Sequence, residues 1–225
     1  MYIDMHSHSV SSDDSRATVE QYLKWIQVLR KRGHTIDAIV LTEHRKYDRD
    51  VDYTALGQEY GVLVLKGSEL DTRYGHFLVY GVNDRLLKAV DFSDVTMDSL
   101  QLMKEAREHG AIAIPAHPGR PGIGLCKFID DGVSFPDVHI AETLNGGSRA
   151  GENERALHLA QDRRYQGIGG SDAHLVSSIG TCLTWFKTDG KARIRNEREL
   201  VEALLSCDYA PVRLEETRNG DPGQR

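Results

Sequence analysis

Eight short runs of apolar and β-branched residues, at about 2–5, 37–42, 62–66, 76–82, 111–115, 138–143, 167–170 and 181–186, are separated by longer stretches with helical periodicity. That rhythm predicts βα units around a mainly parallel sheet. Residues 17–32 place Val19, Leu23, Ile26 and Leu29 or Arg30 at helical spacing behind Ser15 or Thr18 as a cap, and 96–109 stops at Gly110. Residues 150–165 and 196–206 repeat the pattern, while glycine-rich 119–132 reads as a loop with one or two helical turns. Seven or eight such units in 225 residues suit a small or incomplete β/α barrel, with an open doubly wound sheet as the alternative. We expect one domain over 1–214 and a mobile polar tail over 215–225.

Chemistry-bearing residues gather where these runs end. His6 and His8 follow the first run as H-S-H, and alternation in an extended segment turns both imidazoles to one side. Asp13 follows in the loop SSDD, with Asp14 beside it read as a capping or orienting group. His44 closes the second run, Glu69 the third and His117 the run AIAIPAH, while Asp172 and His174 follow GIGG as D-A-H. His76 is the exception, because it opens a run; an antiparallel or irregular element there would return it to the same face. Carboxyl ends of barrel strands converge on one pocket, so residues scattered over the chain can meet. Nine nitrogen and oxygen donors exceed what one tetrahedral zinc needs and predict two or three divalent ions, with Zn, Mn and Fe all compatible. Clustered metals suit phosphoryl hydrolysis, because they acidify a bridging water and neutralise charge on the phosphate and the departing oxygen.

The stretches MHSHSVSSDD, LTEH, GSEL with GHFLVYG, AIPAHPGR and GGSDAH resemble the successive motifs of the polymerase and histidinol phosphatase (PHP) superfamily, over about residues 3–180. The resemblance implies a distorted (β/α)7 barrel with a trinuclear site made by His6, His8, Asp13, His44, Glu69, His76, His117, Asp172 and His174. It further implies a metal-dependent phosphoesterase that attacks a small-molecule phosphate ester through a metal-bridging hydroxide. A phosphomonoester is the first expectation, with a diester or cyclic phosphate as the alternative. The second motif departs from the common T-D-H-D or T-D-H-N, reading Thr42-Glu43-His44-Arg45. Only about 47 residues separate Glu69 from His117, too few for the capping domain inserted in some nucleotide-hydrolysing relatives.

Phosphate needs cations beyond the metals, and Arg120, Arg45 and Arg149 each sit just after a predicted strand end, Arg120 being the first choice. Glu43, Glu142 and Asn145 are read as groups that orient ligands. His34, His109, His139 and His158 read as structural or solvated, and Trp25 and Trp185 as core. An amidohydrolase is a more distant alternative, but its bridging lysine has no counterpart better placed than Lys66; a noncatalytic metal-binding domain is another. With 28 Lys+Arg against 34 Asp+Glu, the formal charge of -6 gives no footprint for general nucleic-acid or anionic-membrane binding. Three cysteines without a C-x-x-C pair, and no leader-like or long apolar run, predict a cytoplasmic chain without disulfides.

Overall fold

The computed structural model describes residues 1–187, 194–206 and 208–218. In chain order these form β1 (Tyr2–Ser7), α1 (Val19–Lys31), β2 (Ala38–His44), α2 (Thr54–Tyr60), β3 (Leu63–Thr72), β4 (Gly75–Tyr80), α3 (Asp84–Ala89) and α4 (Ser99–Glu108). There follow β5 (Ile112–Pro115), α5 (Leu125–Asp130), β6 (Ile140–Asn145), α6 (Ala150–Arg163), β7 (Gln166–Gly170), β8 (Cys182–Phe186), α7 (Glu197–Ser206) and β9 (Tyr209–Arg213). Local chemistry explains the helices. Thr18 and Gln21 close a capping box on α1, whose buried face is Val19, Tyr22, Leu23, Ile26 and Leu29. Asp98 caps α4, which ends where Gly110 takes a φ of 73°.

The sheet is less regular than a βα repeat. Seven strands run in the order β5-β4-β3-β2-β1-β8-β9 and curl into half a barrel, while β6 and β7 form a separate parallel pair. Only β1, β2 and β3 pair in parallel within the larger sheet; β4, β5, β8 and β9 all join it antiparallel. A closed ring of seven βα units is therefore not what the described residues form. The small pair is tied to the large sheet at the carboxyl end of β1, through a Ser7–Ala173 bridge and the bonds Asp172 N–H to His6 O, 2.7 Å, and His8 N–H to Ala173 O, 2.9 Å. That approach needs glycine. A Cβ on Gly170 would lie 2.4 Å from the Cβ of His6.

Three apolar clusters hold these layers. Ile3, Met5, Val40, Leu65, Leu78, Tyr80, Ile114, Ile140 and Ile168 fill the inside of the curl, closed below by Leu200 and Leu204 of α7. Tyr22, Leu23 and Ile26 of α1 cover Ile39 and Leu41 outside, and α4 and α5 cover Phe77 and Val79. The inward stripe of each strand then changes character along its length. Leu65 leads through Gly67 to Glu69, Ile140 to Glu142, and Ile168 through Gly170 to Asp172, each by steps of two. A register shift between Asp4 and Ser7 lets His6 and His8 continue the stripe begun by Ile3 and Met5. Apolar residues thus support the site from below, and metal-binding types cap them.

Several expectations are corrected here. The strand β9 and helices α2 and α3 are additional elements. The tail expected from Glu215 is ordered at its start, because Leu214–Thr217 forms a 3-10 turn with Thr217 buried beside His34; residues 219–225 lie outside the described residues. Trp25 and Trp185 are only partly buried, packing on the edge of the outer cluster under α1. No helix among the described residues is long and apolar enough to cross a membrane.

Candidate metal centre

At the carboxyl end of the inner stripe, three groups of donors have their atoms within 4.8 Å of one another: His8, His44 and His174; His6, His8, Glu69 and Asp172; and Glu69, His76 and His117. Glu69 belongs to the second and third, and also faces His8 and His44 of the first. Its Oε1 is 3.0 Å from His76 Nδ1 and 2.8 Å from His117 Nε2, while Oε2 is 3.1 Å from His6 Nε2, 3.2 Å from His8 Nε2 and 3.3 Å from His44 Nδ1. Asp172 Oδ1 sits 3.4 Å from the same two Nε2 atoms of His6 and His8. His76 reaches this face because β4 runs antiparallel to β3, its register partner being Asp71.

Eight of the nine expected ligands are brought together; Asp13 is not. Its carboxylate is 78% exposed and faces Arg45 at 3.5 Å, whereas Asp14 Oδ2 lies 3.3 Å from His44 Nε2 and 3.2 Å from His174 Nε2. Both residues sit in the turn after β1, where consecutive side chains diverge, so motif spacing alone could not choose between them. Asp71 is a further residue that sequence reasoning passed over. It lies 3.4 Å from His76 Nε2, and its position two beyond Glu69 on the same strand face was the available signal.

The donor set fits divalent cations. His6 Nδ1 is 3.0 Å from Glu142 Oε1 and donates there, so in the neutral imidazole the lone pair stands on Nε2. That lone pair points at His8 Nε2, 3.0 Å away, and at two buried carboxylates, a convergence of acceptors that a cation would satisfy. His117 Nδ1 is buried without a hydrogen-bond partner among the described residues. The electrostatics agree. Burial alone would raise the Glu69 carboxyl, but His6, His117 and His76 outweigh it and hold the group well below the usual carboxylate range. Burial would likewise raise Asp172, which His6 and His8 bring well below its ordinary value. His6 feels burial first, and Glu142, Asp172 and Glu69 overcome it to push the imidazole well above the usual histidine value. A field that holds a proton on His6 so firmly attracts a divalent ion for the same reason. Burial lowers His44, by contrast.

Around the donors, Glu142 spends its other oxygen on His117 N–H at 2.8 Å and Asn145 Nδ2 at 2.9 Å. Arg120 Nη2 donates to Asp172 Oδ2 at 2.8 Å, Asn145 Oδ1 at 3.0 Å and Ser148 Oγ at 3.2 Å, with the side chain 24% exposed at the mouth. Arg45 lies at the rim, between Asp13 and Asp71. Arg149 is exposed at the start of α6, and among the described residues no contact ties its side chain to the donors. His117 and Asp172, with φ of 31° and 53°, occupy the left-handed region that residues bearing a Cβ rarely adopt, which is how strain collects at functional positions.

A family model described as PHP-associated matches residues 150–207, from α6 past the end of α7. Over that stretch the chain carries the PHP-associated signature. It is 26% identical over 158 residues to an uncharacterized protein of Methanocaldococcus jannaschii, covering 67% of this chain and 85% of that one. Among solved structures, PsfC from Pseudomonas syringae superposes with a TM-score of 0.69 at 20% identity, over 96% of this chain and 92% of that one. A two-domain protein of Bacteroides vulgatus, described as containing a predicted PHP-like metal-dependent phosphoesterase, gives 0.60 at 23% identity, over 96% of this chain and 65% of that chain. The lesion-specific endonuclease Q of Pyrococcus furiosus gives 0.63 at 12%, over 93% and 57%. At these identities the structural likenesses speak for the fold.

Proposed function

We propose that this chain belongs to the PHP superfamily and hydrolyses a small-molecule phosphate ester, a phosphomonoester first, with divalent cations held by His6, His8, Asp14, His44, Glu69, His76, His117, Asp172 and His174. The observation that carries the reading is Glu69, a buried carboxylate with one oxygen turned to His76 and His117 and the other to His6, His8 and His44. A carboxylate shared in that way suits a cluster of two or three cations better than a single one. When bound, Zn, Mn or Fe ions would supply Lewis acidity toward a phosphate and an acidified water.

The chain's own groups supply the rest. Arg120, held by Asn145 and Ser148 beside Asp172, presents a guanidinium at the mouth, where it can take a phosphate oxygen as the ester settles on the donors. Glu142 keeps His6 Nδ1 protonated and its Nε2 free, and Asn145 ties Glu142 to Asp172 at 2.9 Å and 3.3 Å. The strained backbone at His117 and Asp172 is held by its surroundings, Glu142 taking the His117 N–H and Arg120 the Asp172 carboxylate. A formal charge of -6 favours a compact phosphorylated metabolite over a nucleic-acid polymer, and three cysteines, of which Cys126 and Cys182 are buried and free, keep the cytoplasm as the compartment.

The test, with Mn- or Zn-loaded protein, is phosphate release from a panel of sugar phosphates, nucleoside monophosphates and bisphosphates and histidinol phosphate, beside ring opening of cyclic phosphates read by chromatography and strand cleavage of an abasic DNA duplex read on a gel. Asp172→Ala is the control. Release confined to small monoesters and lost in the control supports the reading; cleavage of the cyclic ester or the duplex alone moves it to a phosphodiesterase.

A further inference from the structure

Glu43 is 2% exposed, and no ion pair among the described residues includes it. Its carboxylate is instead ringed by the turn after β1. Oε1 takes Ser9 N–H at 3.0 Å and Ser9 Oγ–H at 2.6 Å, and Oε2 takes Ser12 Oγ–H at 2.5 Å. Ser12 has one proton, and with that proton on Glu43 its oxygen can only accept. Two donors face it: His44 N–H at 3.0 Å and His8 Nδ1 at 3.4 Å. In the neutral form His8 therefore carries its proton on Nδ1, which leaves Nε2 to face His6, Glu69 and Asp172.

His6 reaches the same form by a direct bond to Glu142; His8 reaches it through a serine. His8 is also the imidazole common to two of the three donor groups, and the turn that Glu43 seats delivers Asp14 to His44 and His174. Resting on the metal-centre reading above, we propose that Glu43 is a positioning residue which, through Ser12, fixes the Nδ1–H form of His8 and the seat of the turn, and so sets the metal affinity of the His8–His44–His174 group. In Glu43→Gln the side-chain amide would face Ser12 with a donor. Ser12 would then turn its own proton toward His8 Nδ1, and the imidazole proton would move to Nε2, where it blocks ligation.

The experiment compares the wild-type chain with Glu43→Gln and Ser12→Ala, loaded with zinc and titrated with a competing chelator. Nitrogen NMR of the histidine side chains reads the form of His8. Expected is a loss of about 10–100-fold in affinity for one zinc equivalent, with the remainder retained, and a displaced His8 nitrogen pattern. Equal affinities with an unchanged pattern in both variants would overturn the proposal. Zinc-free wild-type protein would overturn the metal-centre reading itself, and this inference with it. If Glu43→Gln does not fold, Ser12→Ala, which removes one hydroxyl, decides the matter alone.

Discussion

Glu142→Gln tests how the centre is organised with almost no change of volume. Glu142 is fully buried and receives three donors: His6 Nδ1 at 3.0 Å on Oε1, with His117 N–H at 2.8 Å and Asn145 Nδ2 at 2.9 Å on Oε2. A glutamine has one acceptor. Placing its oxygen toward His117 and Asn145 keeps two bonds and turns its NH2 onto His6 Nδ1. Two donors cannot face each other, so His6 must surrender the Nδ1 proton and carry it on Nε2, the atom that meets Glu69 and His8. A ligand orienter lost in this way costs about 10–100-fold in metal affinity, or roughly 1.4–2.7 kcal/mol. Chelator competition with zinc measures the first figure, and thermal unfolding of the metal-free variant controls for damage to the fold. Wild-type zinc affinity in a folded Glu142→Gln protein would refute the reasoning, because it would mean that His6 either does not ligate or is oriented by something else.

Other consequences are equally direct. Asp14→Ala should lower metal occupancy, while Asp13→Ala, which removes only an exposed partner of Arg45, should leave it unchanged; elemental analysis after dialysis separates the two. Arg120→Ala removes a charge-assisted donor that is worth about 1.5–3 kcal/mol, so kcat/KM for a phosphate ester should fall about 10–100-fold, whereas an unchanged value would remove Arg120 from the substrate site. Gly170→Ala must force a methyl to within 2.4 Å of His6 Cβ, and calorimetry should show a loss near the upper end of the ~1–3 kcal/mol typical of overpacking; a wild-type melting temperature would contradict the close approach of β7 to β1. In the metal-free protein, Asp172 and Glu69 sit below their ordinary 3.8 and 4.5, so the stability they contribute is present above those values and is lost as pH falls through the depressed ones. His6 sits above its ordinary 6.5, so its contribution is full below 6.5 and is lost as pH rises through the raised value. Melting temperature should therefore peak between these ranges, and a profile that rises steadily from pH 6 to 9 would contradict the assignment.

Much of this architecture was legible because the two governing signals are periodic. The buried face of α1 and the strand-end donors both follow from spacing, 3.6 along the helix and 2 along a strand. His76 was legible as a ligand type but not as a position, since pairing β4 antiparallel to β3 is a tertiary choice. β9 carries Pro211 and so reads poorly as a strand, yet a last strand at the sheet edge can spare the missing N–H. Gly57 inside α2 and the six-residue length of α3 hid both helices, the second of which depends on Asn83 as its cap. Asp13 and Asp14 could not be told apart, because a turn has no period. The relay from Glu43 through Ser12 to His8 joins residues 31 and 4 positions apart, and only the folded turn brings them together.

The most direct test of the central claim is to count metal in the purified chain and assay phosphate release on the same sample before chelation, after chelation and after readdition of zinc or manganese. The account predicts more than one divalent ion per chain, release that disappears with the metal and returns with it, and neither metal retention nor release in Glu69→Gln. Phosphate release that survives complete metal removal, or a folded chain that binds no divalent ion, would contradict it.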